Sequence, residues 1–338
     1  MNQLNIGKKI IIVLGPGRSG TSLLMQILEH QGIALSEKLN QPSAANKYGP
    51  KEDKDIFEVH SILLKELGSN PLIPLPDGWM NKEATLRAKK KLRDILLDRL
   101  ENNSVFALKD PRMSFFLPLW NLIFNELKIT PVYLFAIREF KATAGSHLRQ
   151  YNLSPEAVES SWLSRTIDAL RYVGTECFFV HYEDWFSSPE STLEGLREHL
   201  RNHNIALTKN CDLSELVDKS ADRSKKDDII ISNICVQELN NFLADFRGYD
   251  YDREKLIDKI NYCQGIMQGF MAWCNFAHIN IAAREKAQQQ LRNARKKIQD
   301  LSDCESRKEY LEAELLLANK AGKEFFTTMA MMKRIDDI

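Results

Sequence analysis

The 338-residue sequence contains no apolar run approaching the roughly 18 residues that a membrane-spanning helix needs. Its first nine residues also lack a long apolar stretch followed by a small-residue cleavage site, which argues against a secretory signal. The six cysteines are scattered and form no CxxC pair, which argues against zinc ligation and against a disulfide framework. Together these absences predict a cytoplasmic protein without a membrane span.

The sequence also lacks an excess of either charge. Lys plus Arg and Asp plus Glu both number 46, so the formal net charge is zero. A balanced total argues against a protein that binds nucleic acid through bulk positive charge, but it leaves room for a local anion site. At about 150 residues per domain, the length predicts two domains, or one large domain with an appendage.

Apolar segments that alternate with amphipathic ones predict an α/β fold with a mainly parallel sheet flanked by helices. Strands are expected at 8–14, 105–108, 131–137 and 176–181. Helices are expected at 22–31, 53–67, 84–100, 113–127, 139–150, 155–172 and 189–203.

The pattern changes in the C-terminal third. We expect an α/β domain over residues 1–247 and a helical extension over 248–338, where no proline occurs after position 253. The polar segment 219–228 between them is interpreted as a loop over the site. A short apolar repeat with a later phase slip leaves two interpretations open: a solvated helical extension, or a coiled coil that joins copies of the chain. Its members are Ala287, Leu291, Ala294, Ile298 and Leu301.

The most informative motif is a glycine-rich segment that follows the first strand and precedes a helix. It reads Gly15-Pro16-Gly17-Arg18-Ser19-Gly20-Thr21-Ser22. Glycines allow close backbone approach, successive N–H groups converge on an anion, and the helix adds its positive N-terminal end. The segment therefore predicts a phosphate-type anion site.

This loop departs from the motif that binds nucleoside triphosphates. That motif has Lys directly after its second glycine, whereas Thr21 stands here and the cation, Arg18, lies inside the loop. Only Asp110 ends the second strand as a possible Mg²⁺ ligand. These features favour a doubly charged group that is bound without a metal, such as a 5′-phosphosulfate.

At these residues the sequence resembles the nucleotide-dependent sulfotransferases, and particularly their bacterial branch. Gly15–Ser22 looks like their 5′-phosphosulfate loop. Arg138 ends the third strand and Ser146 follows eight residues later, a spacing at which the family binds the 3′-phosphate of 3′-phosphoadenosine 5′-phosphosulfate (PAPS). A strand-end Arg suits this role because its planar guanidinium donates two hydrogen bonds at once.

Two further segments support the resemblance, which covers roughly Ile10–Leu200. The bacterial branch commonly carries a KDPR segment after an apolar strand, and here it is Lys109-Asp110-Pro111-Arg112. Asn46-x-x-Gly49-x-x-Glu52 is similar to the branch's segment between the first helix and the second strand. The GxxGxWK-like segment of many animal cytosolic members is absent. Arg223 is our candidate for the residue that covers the adenine and 3′-phosphate in its place.

The resemblance implies PAPS as donor, no metal, and a hydroxyl or amine acceptor such as a carbohydrate, glycolipid or secondary metabolite. It assigns donor binding to Gly17, Arg18, Ser19, Gly20, Thr21, Ser22, Arg138 and Ser146. We expect Glu52 to be the general base, with Arg18 and Lys109 stabilising developing charge. Asp110 and Arg112 face either the acceptor or simply each other as a strand-end ion pair. His60, Asp53, His147 and His181 are weaker candidates for the base.

Two other functions stay open at this stage. A phosphate-loop kinase or nucleotide-binding protein would bind ATP or GTP with Mg²⁺, and the missing Lys argues against it. A non-catalytic scaffold would use the helical tail to hold a partner, and the loop and the Arg138–Ser146 spacing argue against lost binding.

Overall fold

The computed structural model describes residues 7–42, 49–70, 74–151, 153–173, 177–207, 209, 213, 216–217, 229–269, 271–301 and 312–323. Within them, four parallel strands form one sheet in the order β2-β1-β3-β4. The strands are β1 (Lys9–Leu14), β2 (Val105–Lys109), β3 (Pro131–Ile137) and β4 (Cys177–His181). The predicted α/β class, with a parallel sheet flanked by helices, is confirmed.

Strand β1 occupies the middle of the sheet because its residues are apolar on both faces. Ile10, Ile12 and Leu14 enter one core, while Ile11 and Val13 enter the other. Such burial on both faces is typical of a parallel strand covered by helices on each side.

Up to residue 301, eleven α-helices are described. They are α1 (Thr21–His30), α2 (Lys54–Glu66), α3 (Glu83–Glu101), α4 (Met113–Leu127), α5 (Phe140–Tyr151), α6 (Pro155–Val173), α7 (Asp184–Ser187), α8 (Pro189–Asn202), α9 (Ile234–Leu243), α10 (Arg253–Gly269) and α11 (Met271–Leu301). The core beside α1 and α8 is the smaller one, and α2–α6, α9 and α10 cover the opposite face. Residues 312–323 are also helical. Among these helices, none has both the length and the apolar character to cross a membrane.

Local sequence accounts for several helix ends. Asp53 caps α2, because its carboxylate accepts hydrogen bonds from the backbone N–H groups of Asp55 and Ile56. Pro189 stands at the first position of α8, where its missing N–H costs nothing.

The C-terminal part contains the boundary between two compact units of the structure. The chain separates into two compact units, Met1–Cys274 and Asn275–Ile338. Helix α10 belongs to the first, and its Leu256, Ile260 and Cys263 are buried in the larger core. The predicted coiled coil stays a prediction, and the predicted loop 219–228, with Arg223, lies outside the described residues, as does Asn46.

The order of the strands determines where a site can form. The chain runs from β1 to β2 on one side and then crosses β1 to reach β3 on the other. Ligands of open parallel sheets bind beyond the carboxyl ends of the strands at such a reversal. The glycine loop after β1, the KDPR segment at the end of β2 and Arg138 after β3 all lie at this edge of the sheet.

Candidate functional site

The glycine loop is tightly folded, and two of its residues, Arg18 and Gly20, have a positive φ. Gly20, directly before α1, has a φ of +93°, and a Cβ there would stand 2.6 Å from Cδ2 of Tyr182. Ser19 is fully buried, and its hydroxyl donates to the carbonyl of Pro16 at 2.7 Å. Arg18 has a φ of +69°, which is uncommon for a residue with a side chain. The surrounding contacts must therefore hold the loop in this shape.

Arg18 is held from both of its ends. Its Nε donates to the hydroxyl of Ser146, at 2.8 Å, and its carbonyl accepts from Nη1 of Arg138, at 3.3 Å. The Arg138 guanidinium lies over the ring of Tyr182, 4.2 Å from the centroid. The structure thus brings the predicted donor-binding residues of the loop, β3 and α5 to one place.

Arg165 on α6 joins this group, although sequence reasoning missed it. A Cβ on Gly17 would stand 3.2 Å from Nη1 of Arg165 and 3.2 Å from the ring of His147. The ring of His147 donates from Nε2 to the Gly17 carbonyl at 2.9 Å. Burial lowers the pKa of His147 to about 4, and the charges of Arg165 and Arg18 act in the same direction. His147 is therefore a neutral donor to the loop at neutral pH rather than a further cation.

On the other side of the loop, Lys109 and Glu52 form a buried ion pair. Nζ of Lys109 donates to Oε1 of Glu52 at 2.8 Å, and the two residues are only 3% and 7% exposed. The same ammonium donates to the Pro50 carbonyl at 3.1 Å and to the Ser22 hydroxyl at 3.4 Å. Lys109 therefore links the expected base to the start of α1.

Asp110 and Arg112 pair with each other. The Arg112 guanidinium donates to both carboxylate oxygens of Asp110, at 2.9 and 2.7 Å, and it stacks 3.6 Å from the ring centroid of Phe57. Burial raises the pKa of Asp110, but the charge of Arg112 and the hydrogen bond from His60 outweigh it and hold the pKa well below its usual range. The pair is the strand-end ion pair that the sequence left as one of two alternatives, and it also lines the cavity described below.

Two of the weaker candidates for the base have structural partners. His60 is fully buried; its Nε2 accepts from Trp120 at 3.0 Å and its Nδ1 donates to Asp110 at 2.9 Å. Both ring nitrogens are thus engaged. Asp53 caps α2 and binds Arg99 at 2.7 Å.

A cavity of about 860 Å³ connects these groups, within the size range of small-molecule sites. Of the residues expected to bind the donor or the acceptor or to act in catalysis, Ser19 and Ser146 are not among those that line the cavity, and the others are. We call two parts of this wall the β2 side and the β3 side. The β2 side comprises Asn40, Gln41, Pro50, Glu52, Phe57, Lys109, Asp110, Pro111 and Arg112. The β3 side comprises Gly17, Arg18, Arg138, His147, Arg165 and Tyr182.

His181, the remaining candidate for the base, faces elsewhere. It lines a second cavity of about 530 Å³ together with His199 and Arg247. Among the described residues, no group of three or more His, Cys, Asp and Glu side chains is arranged to hold a metal ion.

The residues that sequence reasoning missed carry weak local signals. Arg165 is a charged residue on the buried face of α6, beside Ser161 and Trp162, and it is 6% exposed. A buried arginine on an apolar helical face indicates a polar partner or a ligand. Tyr182 had no such signal, since its contact with Gly20 depends on how β4 is placed in the sheet.

No family model matches the chain, and no curated protein matches it. Among solved structures, the chain is similar to the sulfotransferase domain of the Synechococcus PCC 7002 olefin synthase, with 18% identity and a TM-score of 0.43 over 72% of this chain and 95% of that one. It is also similar to the sulfotransferase domain of the curacin biosynthetic pathway, with 15% identity and a TM-score of 0.36 over 77% of this chain and 98% of that one.

Proposed function

We propose that this protein is a sulfotransferase that moves a sulfuryl group from PAPS to a hydroxyl or amine of an acceptor. The observation that carries the proposal is the 2.8 Å hydrogen bond between Arg18 in the loop and Ser146 on α5, with Arg138 on the Arg18 carbonyl. Two motifs more than a hundred residues apart, each weak alone, meet at one point. A simple strand-to-helix turn does not require contacts among Arg18, Ser146 and Arg138.

The charge of the cavity supports a multiply anionic donor. Its described wall carries five cations, Arg18, Lys109, Arg112, Arg138 and Arg165, against the two carboxylates of Glu52 and Asp110. PAPS carries two separate anionic groups, a 3′-phosphate and a 5′-phosphosulfate. We assign the loop amides and Arg18 to the phosphosulfate, and Arg138 and Arg165 to the region of the 3′-phosphate. Ser146, whose hydroxyl accepts from Arg18, holds that side chain in position. Guanidinium groups suit phosphate because they donate in a planar fork.

The reaction needs little covalent help from the protein. The acceptor oxygen or nitrogen attacks sulfur, the bond from sulfur to the 5′-phosphate oxygen breaks, and that oxygen leaves with the electron pair. The acceptor proton goes to Glu52, and the products are the sulfated acceptor and adenosine 3′,5′-bisphosphate. Arg18 and the loop stabilise the charge on the leaving phosphate, as in phosphoryl transfer.

Glu52 is our candidate for the base, and Lys109 is our candidate for a cation that assists it. The Glu52 carboxylate lines the cavity beside the loop, and Lys109 joins it to Ser22 at the start of α1. A positioned general base contributes about 10²–10⁴-fold to rate. Lys109 orients the carboxylate and adds positive charge next to the loop.

Removing Arg18 or Arg138 tests the assignment. We expect Arg18→Ala and Arg138→Ala each to weaken binding of adenosine 3′,5′-bisphosphate by about 10–100-fold, because a charge-assisted hydrogen bond contributes about 1.5–3 kcal/mol. Isothermal titration calorimetry measures the dissociation constants. Arg201→Ala is the control, since Arg201 is 59% exposed and pairs with Glu194 on α8.

A thermal-shift experiment separates the alternative functions. A sulfotransferase is stabilised against heating by adenosine 3′,5′-bisphosphate without metal, whereas a kinase is stabilised by ATP only with Mg²⁺. If neither arginine variant changes bisphosphate binding, or if Mg²⁺-ATP alone shifts the melting temperature, the proposed function is wrong.

A further inference from the structure

The two sides of the cavity differ in how their charges are arranged. The glycine loop follows strand β1, which lies between β2 and β3, so the loop separates the KDPR segment at the end of β2 from Arg138 after β3. With the donor's 3′-phosphate region on the β3 side, the β2 side is left for the acceptor. The acceptor's chemistry must therefore suit the described residues of the β2 side.

Both cations of the β2 side have a carboxylate partner of their own. Lys109 binds Glu52 at 2.8 Å, and Arg112 binds both oxygens of Asp110. All four residues are at least 93% buried. Within the described part of the chain, the charged groups of the β2 side therefore sum to zero.

A charged acceptor group would bind unfavourably at the β2 side, whether its charge is negative or positive. An anionic group placed next to Glu52 or Asp110 lies against a like charge, and the neighbouring cations are already paired. An ammonium group meets the same difficulty with Lys109 and Arg112. An uncharged group meets neither.

The rest of the β2 side suits an uncharged polar molecule. Asn40 donates from Nδ2 to Oε2 of Glu52 at 3.4 Å, and Gln41 adds a second carboxamide that can donate and accept. Pro50, Pro111 and Phe57 supply apolar contact between these polar groups. Such a mixture binds hydroxyls and C–H faces together.

We infer that the acceptor is an uncharged alcohol, and that the two internal ion pairs of the β2 side select it over anionic and cationic acceptors. This inference rests on the proposed function, since it needs the donor to occupy the β3 side and the loop.

The first test uses matched acceptors and the wild-type protein. With ³⁵S-labelled PAPS, we expect 4-nitrophenyl β-glucoside to be sulfated with a kcat/KM at least ten-fold above that of 4-nitrophenyl β-glucuronide, which differs by one carboxylate. The 2-amino-2-deoxyglucoside gives the cationic comparison. Equal or better use of either charged acceptor overturns the inference while leaving the proposed function intact.

The second test needs no acceptor. It tests the inference even if the protein sulfates none of the three glycosides. The protein is saturated with adenosine 3′,5′-bisphosphate and titrated with sodium sulfate in a calorimeter at constant ionic strength. We expect Glu52→Gln to bind sulfate at least ten-fold more tightly than wild type, because Lys109 then lacks its carboxylate. Glu29→Gln is the matched control: it removes the carboxylate partner of Lys51 outside the cavity wall.

The outcomes are distinct. If wild type binds sulfate as tightly as Glu52→Gln does, the β2 side accepts anions and the inference is wrong. If adenosine 3′,5′-bisphosphate does not bind at all, the proposed function fails before the acceptor is considered.

Discussion

At the scale of single residues, the site depends on a few residues with an uncommon backbone conformation or an uncommon degree of burial. Arg18 is in the left-handed region, and Arg165 is a buried arginine on an apolar helix face. Such exceptions are costly, and they persist where surrounding contacts or a ligand compensate for them. The sequence alone identified Arg18 as a site residue, because it is a cation inside the glycine-rich phosphate loop. Arg165 was not, since its approach to Gly17 depends on how α6 packs.

Arg165 gives the clearest prediction at this scale. Because its guanidinium lies against Gly17 and lines the cavity, we expect Arg165→Ala to weaken adenosine 3′,5′-bisphosphate binding by about ten-fold or more. Arg165→Lys should restore only part of the affinity, because an ammonium lacks the planar fork. Calorimetric titration measures both variants.

The control for this prediction lies on the same helix. Arg171 is exposed near the end of α6, so Arg171→Ala removes the same charge outside the cavity wall. Equal losses of affinity in Arg165→Ala and Arg171→Ala would mean that only the overall charge of the helix matters.

At the scale of elements, the parallel sheet was predictable because its strands are short, apolar and buried on both faces. Strand β3 has the predicted bounds, and the described strand β4, Cys177–His181, lies within the predicted range 176–181. The short helix α7 and helix α9 were not predicted, although Asn233 caps α9 and the apolar spacing of Cys235, Val236 and Leu239 follows it. A polar, charged stretch just upstream obscured that signal.

No local sequence pattern could show how the start of α9 is attached to α6. The buried carboxylate of Glu159 on α6 accepts from the backbone N–H groups of Ser232 and Asn233 and from the Ser232 hydroxyl, at 2.8–2.9 Å. Glu159 is 3% exposed. This contact spans more than seventy residues, and only the fold reveals it.

We expect Glu159→Ala to lower the free energy of unfolding by about 1.5–3 kcal/mol, because it removes the part-buried hydrogen bonds that the Glu159 carboxylate accepts at the start of α9. Urea denaturation followed by circular dichroism measures the loss. Glu156→Ala, an exposed change in the first turn of the same helix, should have a much smaller effect. Comparable losses from the two variants would contradict the role of Glu159 as the anchor of α9.

At the scale of the whole molecule, the zero formal charge conceals an uneven distribution. The cavity wall carries a surplus of cations, while buried histidines elsewhere are kept neutral. Burial lowers the pKa of His181 to about 4 and that of His199 to about 3, and the charges of Arg247 and His203 respectively add to the effect. Composition alone could exclude a bulk nucleic-acid surface, but it could not locate these groups, because their environments are made by packing.

The buried histidines predict how the stability of the protein depends on pH. An unfolded histidine has a pKa near 6.5, so between about pH 6.5 and 3 the unfolded chain binds a proton that native His199 does not bind. The free energy of unfolding therefore falls as the pH falls through this window, and it is restored above it. His199 alone should contribute a loss of about 2–3 kcal/mol at pH 4.5.

Replacing His199 tests this account. Its ring stacks on Phe178 with centroids 4.4 Å apart, and within the described residues neither ring nitrogen has a hydrogen-bond partner. His199→Phe keeps the aromatic packing, so we expect a smaller drop in unfolding free energy between pH 7 and 4.5, measured by urea denaturation at each pH. His147 and His181 retain their contributions, so a slope remains. The exposed control His30→Gln should leave the slope unchanged, and an unaltered slope in His199→Phe would mean that other groups cause the acid sensitivity.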